Sequence, residues 1–161
     1  MLNQKDKEKG SLLIEILIAI AIISIALISL LGLAIFSLKT EQLAKINNEA
    51  INLVQEEIEA VRNFRDNTDW ETEGLGFLNA GVDYSAQKTG DIPPRWNLVL
   101  GEETIDIFKR KVVFSDVMRD SNDNIVESGG TDDPETKKAT VTISWQEKSI
   151  EIITYFTKWK D

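Results

Sequence analysis

The amino-acid sequence predicts an α+β fold, in which one long N-terminal helix packs on a small antiparallel β-sheet head. Three features predict it: a continuous apolar run near the N-terminus, an amphipathic run directly after it, and alternating apolar and polar residues beyond Leu98. We expect four segments along the chain. They are a charged leader at 1–10, a transmembrane and assembly helix at 11–38, an amphipathic continuation of that helix at 39–66, and a globular β-rich head at 67–161.

The apolar run at 11–38 contains a single ionisable side chain, Glu15. A helix of this length would be roughly 42 Å long at about 1.5 Å per residue, which is enough to cross a bilayer. A carboxylate in hydrocarbon is costly, so the default interpretation of such a residue is functional, with a partner that offsets the cost. Glu15 is therefore the principal candidate functional residue.

The leader at 1–10 holds three lysines against two acids and ends at Gly10. Its modest positive charge favours the cytoplasmic side of a membrane. The leader, Gly10, Ser11 and Glu15 together resemble the type IV prepilin signature of pilins, pseudopilins and related archaeal filament subunits. The resemblance implies that a dedicated membrane peptidase cuts after Gly10 and methylates the new amino terminus at Ser11. Serine is less common there than phenylalanine or methionine, so methylation stays open.

The same resemblance implies a structural subunit of a type IV pilus-like filament, in which Glu15 meets the Ser11 amine of a neighbouring copy. The implied partners are other pilin subunits, the prepilin peptidase and methylase, the inner-membrane assembly platform, and membrane lipid before assembly. The implied location is a single-pass cytoplasmic membrane protein with its head outside, and then a cell-surface filament. The segments 55–66 and 133–145 also look like parts of minor pilins of the pilus-modification type. Whether the filament serves adhesion, motility, DNA uptake or secretion stays open.

Other interpretations of the N-terminal segment remain open. The chain could be a pseudopilin of a type II secretion or DNA-uptake machine, or a single-span membrane-anchored extracellular binding protein. A secretory signal peptide is a further alternative, since Gly32-Leu33-Ala34 imitates a cleavage site, but its apolar core is about 7 to 15 residues long. The run here is longer and contains an acid.

Apolar residues spaced by three and four continue the helix to about Arg65. They are Leu43, Ile46, Ala50, Leu53, Val54, Ile58, Val61 and Phe64. Gly32 is the one glycine inside the predicted helix, which extends from about Ser11. It permits either local loosening or close helix packing.

We expect a long connecting loop at 67–97, held by the packing of its aromatic residues or presenting one of them to a partner. These aromatic residues are Trp70, Phe77, Tyr84 and Trp96. Period-two alternation then predicts a half-buried strand at 105–117, with Phe108, Val112 and Phe114 on its inner face. A hairpin is predicted from 141–145 and 150–156 around a turn at 146–148, within a sheet of three or four strands.

One weak calcium candidate begins at Asp120, Asn122 and Asn124, whose oxygens alternate as in a calcium loop. Ile125 stands where an EF-hand needs glycine and Thr131 where it needs glutamate, so polar turn residues explain the pattern as well.

We predict no cofactor. The chain has no histidine and no cysteine, which removes the usual nucleophile-base pairs and zinc ligands, so we predict that it is not an enzyme. A formal net charge of -9 argues against general nucleic-acid binding.

Overall fold

A computed structural model of the chain describes the backbone of residues 4–159 and the side chains of residues 12–159. Within these residues the fold consists of one α-helix, one short 3-10 helix and seven strands. In chain order the elements are α1 (Gln4–Asn67), the 3-10 helix Leu75–Phe77, β1 (Asp83–Lys88), β2 (Trp96–Leu100), β3 (Glu103–Ile105), β4 (Phe108–Arg119), β5 (Ile125–Val126), β6 (Thr131–Trp145) and β7 (Lys148–Thr157). The chain divides into two compact units, Met1–Ile46 and Asn47–Asp161.

Helix α1 is continuous over 64 residues and passes through Gly32 without interruption. This confirms the long predicted helix, because the sequence has no proline before Pro93 and is rich in good helix formers. The helix begins earlier than the expected start near Ser11. The leader contains three lysines, one glutamate and one glutamine, which favour helix, and Gly10 costs only about 1 kcal/mol in a helix interior.

The strands form one antiparallel sheet in the order β2-β1-β4-β6-β7, and the short strands β3 and β5 also pair with β4. The α+β fold is thereby confirmed. The predicted number of three or four strands is wrong, because β1, β2 and the two short strands were not anticipated. Strand β4 is central, since it pairs with β1 on one side and β6 on the other.

The prediction of an irregular loop at 67–97 is also wrong. This region contains the 3-10 helix, all of β1 and the first residues of β2. The β1 sequence Asp-Tyr-Ser-Ala-Gln-Lys does not alternate, and Tyr84, Ser85 and Ala86 are buried in succession. Pairing makes it a strand: Tyr84 lies opposite Val112 of β4 on one side and opposite Leu100 of β2 on the other. Tertiary context thus overrides a weak local preference.

The predicted hairpin in the C-terminal half is confirmed, and so is the predicted strand from Phe108 onward. The predicted start at residue 105 is wrong, because Ile105 ends β3 and residues 106–107 form the turn into β4. Phe108, Val112 and Phe114 are buried on one face of β4. Strands β6 and β7 pair continuously from Thr136 opposite Thr157 to the residues flanking the turn. The turn uses a positive φ of 52° at Gln146.

The core of the second unit lies between the last part of α1 and one face of the sheet. The helix contributes Ala50, Val54, Ala60, Val61 and Phe64, and the sheet contributes Tyr84, Ala86, Phe108, Val112, Phe114, Val117, Ala139, Val141, Ile143, Trp145 and Phe156. Leu43, which belongs to the predicted apolar stripe, is 49% exposed. Of the predicted stripe, Ala50, Val54, Val61 and Phe64 are buried, while Ile46, Leu53 and Ile58 keep an intermediate exposure.

The aromatic residues of the 67–97 region differ in burial. Trp70 is buried, and its Nε1 donates a hydrogen bond to the Pro134 carbonyl oxygen at 2.9 Å. Tyr84 is buried and packs against Phe114 with ring centroids 5.9 Å apart. Phe77 is 68% exposed, so it is the one presented at the surface, while Trp96 keeps an intermediate exposure.

Candidate functional site

The N-terminal part of α1 presents an apolar surface that nothing in the first unit covers. Its large apolar side chains between Leu12 and Leu38 are each 51% to 70% exposed. The most apolar window of 18 residues has a mean hydropathy of 3.0, and none of it is buried. This helix is therefore long and apolar enough to cross a membrane.

Hydroxyl groups in this segment hydrogen-bond to the helix itself. Ser24 Oγ donates to the Ile20 carbonyl at 2.7 Å, and Ser29 Oγ donates to the Ile25 carbonyl at 2.8 Å. In hydrocarbon an unsatisfied hydroxyl is costly, and this bond to the preceding turn removes the cost without a second helix. Ser24 and Ser29 are thus compatible with a lipid environment.

Glu15 lies on α1 with an exposed side chain and forms no ion pair with any residue whose side chain the structure describes. It remains the single ionisable group of the apolar segment between Leu12 and Leu38. The other two predicted residues of this site, Gly10 and Ser11, lie outside the residues whose side chains are described. Glu15 is therefore an exposed carboxylate on an apolar helix surface.

The calcium candidate forms a hydrogen-bonded turn. Asp120 Oδ1 accepts hydrogen bonds from the backbone amides of Asn122 and Asn124, at 2.8 and 2.9 Å. The Asn124 side-chain amide donates to Asp120 Oδ2 at 3.1 Å. These bonds hold the pKa of Asp120 below its usual range. The residues brought together here stabilise the β4–β5 connection, and among the described residues no group of three acidic, histidine or cysteine side chains is placed to hold a metal ion.

A second cluster of charged groups lies in the core, where α1 meets the sheet. We call Glu57, Arg110, Glu103 and Glu56 the Glu57 cluster. Glu57 is completely buried and Arg110 is 3% exposed. Arg110 Nε lies 3.0 Å from Glu57 Oε2, and Arg110 Nη1 lies 3.6 Å from Glu56 Oε2. Arg110 also donates from Nε to Glu103 Oε2 at 3.1 Å.

Backbone groups complete the Glu57 cluster. The Ala86 amide donates to Glu57 Oε1 at 2.9 Å, and Arg110 Nη2 donates to the Ala86 carbonyl at 3.2 Å. Helix α1 is thereby joined to both β1 and β4 through two side chains. Glu57 Oε2 and Arg110 Nη1 are buried without a hydrogen-bond partner. Burial raises the pKa of Glu57 to about 7, although the charge of Arg110 and the Ala86 hydrogen bond act in the opposite direction.

Sequence reasoning missed this cluster, although its signal is present. Glu57 falls seven residues after Ala50 and seven before Phe64, and therefore in the middle of the buried helix stripe. Arg110 stands between Phe108 and Val112 on the inner face of β4. Two opposite charges on two predicted core faces indicate a buried ion pair.

Comparisons of this chain with models of known protein families, with curated proteins and with solved structures found no match. The site is therefore interpreted from its own residues and geometry.

Proposed function

We propose that this chain is a structural subunit, and more specifically a minor subunit, of a type IV pilus-like filament. The proposal rests on one observation above all: Glu15 is the single acid on the exposed apolar segment of α1. The chain is anchored by this segment with its second unit outside the cell. After cleavage behind Gly10, it leaves the membrane and packs α1 against the helices of other copies.

The proposed role of Glu15 is to set the register between copies. A cleaved chain carries a cationic amine at Ser11 and an anionic side chain four residues later on the same helix. Burying either charge alone among apolar helices is expensive, whereas pairing Glu15 with the amine of a neighbouring copy offsets much of that cost. The surrounding leucine and isoleucine side chains supply the contact area. The charge pair therefore fixes the alignment of copies whose apolar faces would otherwise slide.

Replacing Glu15 tests this proposal directly. In the native host we expect Glu15→Val to be cleaved normally and to remain in the membrane fraction, while its amount in sheared surface filaments falls at least tenfold. The measurement is quantitative immunoblotting of both fractions, together with the mass of the membrane-bound chain.

Glu41→Val is the matched control, because Glu41 is also an exposed acid of α1 but lies beyond the apolar segment. It should assemble at the wild-type level. Normal incorporation of the Glu15→Val chain would refute the proposed pairing, and absence of the wild-type chain from every filament fraction would favour the membrane-anchored binding protein.

A further inference from the structure

The Glu57 cluster places three carboxylates around one guanidinium in a largely water-excluded site. Glu57 comes from α1 and is buried, Glu103 comes from β3, and Glu56 lies at the rim with a 46% exposed side chain. Among the residues whose side chains the structure describes, Arg110 is the only cation that forms ion pairs with these acids. Lys88 of β1 lines the pocket beside the cluster, and its ammonium lies 4.9 Å from the centre of the Trp96 ring.

Arg110 is shared unequally among these acids. Its Nε and Nη2 both donate to Glu103 Oε2, so the hydrogen-bonding fork of the guanidinium faces Glu103. Glu57 Oε2 lies close to the same Nε but lacks a hydrogen bond. An ionised Glu57 would therefore be a desolvated anion with one unsatisfied oxygen and with Glu103 and Glu56 as like-charged neighbours. Each of these conditions favours the protonated form.

We propose that Glu57 takes up a proton when the second unit folds, so that the docking of α1 on the sheet is coupled to pH. The coupling is a property of the second unit and does not depend on filament assembly. Acidification from neutral pH strengthens the contact between helix and sheet.

The sign follows from linkage. The pKa of Glu57 is about 7 in the folded chain and near its ordinary value of 4.5 in the unfolded chain. The folded state therefore binds the extra proton between these two values. The stabilisation of the folded state by this proton is complete below pH 4.5 and is lost as the pH rises through 7. Asp69, Asp120 and Asp133 have lowered pKa values, so their contribution to folding stability is lost as the pH falls. That loss is opposite in sign to the effect of Glu57 and occurs only at more acidic pH.

The test is titration of the full chain in detergent micelles, with selective carbon-13 labelling of glutamate side chains. We expect the Glu57 carboxyl resonance to titrate with a midpoint near 7, and the unfolding equilibrium constant to rise roughly tenfold or more between pH 5 and pH 7. In Glu57→Gln this rise should disappear. Glu103→Gln should lower the Glu57 midpoint, because it removes a like charge and releases Arg110 to Glu57.

Glu59→Gln is the control, since Glu59 lies on the exposed side of α1 and pairs with Arg62. It should leave the Glu57 midpoint unchanged. A Glu57 midpoint at or below 4.5 in the wild-type chain would overturn the proposal. Parallel pH profiles of unfolding in the wild-type and Glu57→Gln chains would also overturn it. If Glu57→Gln fails to fold, the midpoint of the Glu57 carboxyl resonance in the wild-type chain decides the question.

Discussion

Glu57 of α1 and Arg110 of β4 each lie within the apolar core face of their element. Because both also bond to Ala86 of β1, these two side chains connect three elements. Glu57 binds the Ala86 amide of β1, while Arg110 of β4 binds the Ala86 carbonyl. A buried charged pair of this kind is weak evidence for stability, because removing two charges from water is costly. Loss of one partner is nevertheless severe, since it leaves an uncompensated charge in the core.

Arg110→Met should therefore destabilise the second unit by about 3 to 5 kcal/mol at pH 8, where Glu57 is mostly ionised in the folded chain. At pH 5 the cost should be smaller, because the carboxyl group left behind is protonated. Urea unfolding followed by tryptophan fluorescence measures both values.

The double variant Glu57→Met with Arg110→Met is the control, because it removes both charges while keeping apolar volume. It should recover most of the lost stability. Equal losses in the single and double variants would show that the side chains act through packing rather than charge.

Residue-level prediction from sequence succeeded for about half of the apolar helix positions and failed for these two charges. Val54, Val61 and Phe64 follow helical spacing, and their burial is confirmed. Glu57 satisfies the same spacing, but the burial of a charge depends on a partner more than fifty residues away in the chain. Only the juxtaposition of α1 and β4 in three dimensions supplies that partner.

At the scale of elements, the 3-10 helix Leu75–Phe77 is fixed against β6 by close packing beneath Trp70. A Cβ added at Gly76 would lie 2.5 Å from Trp70 Nε1 and 2.6 Å from the Trp70 carbonyl oxygen. The indole Nε1 bonds to Pro134 at the start of β6. The absence of a side chain at Gly76 is thus what permits the contact.

Gly76→Ala should displace Trp70 and destabilise the second unit by about 1 to 3 kcal/mol, as overpacking generally does. Denaturant unfolding measures the loss, and the Trp70 indole proton resonance reports whether the bond to Pro134 persists.

The matched variant is Gly90→Ala, where nothing lies within 4 Å of the added carbon. It should stay within about 0.5 kcal/mol of the wild type. Equal stability of the two variants would contradict the packing account.

The elements that were predicted correctly carry strong local patterns. The β6–β7 hairpin alternates on both sides of a turn, and β4 alternates along its inner face. Strand β1 was missed because it follows no alternation and is bounded by Gly81 and Gly90, which are typical of loops. It becomes a strand because β2 and β4 supply partners on both its edges.

At the scale of the whole molecule, the two units present contrasting surfaces to their surroundings. The first unit exposes an apolar helical segment at 12–38 that carries one acid, while the second encloses its own apolar core between helix and sheet. Sequence patterns alone predicted both properties, because an unbroken apolar run and a period-two pattern are the strongest local signals available.

The mass of the native chain isolated from its host tests the central claim most directly. We predict an amino-terminal peptide beginning Ser11-Leu12-Leu13, with or without one methyl group, because the proposed assembly pairs Glu15 with the free Ser11 amine of a neighbouring copy. A matched sample of the Gly10→Leu variant should keep its leader. Recovery of the wild-type chain with Met1 and its first ten residues intact would contradict the account.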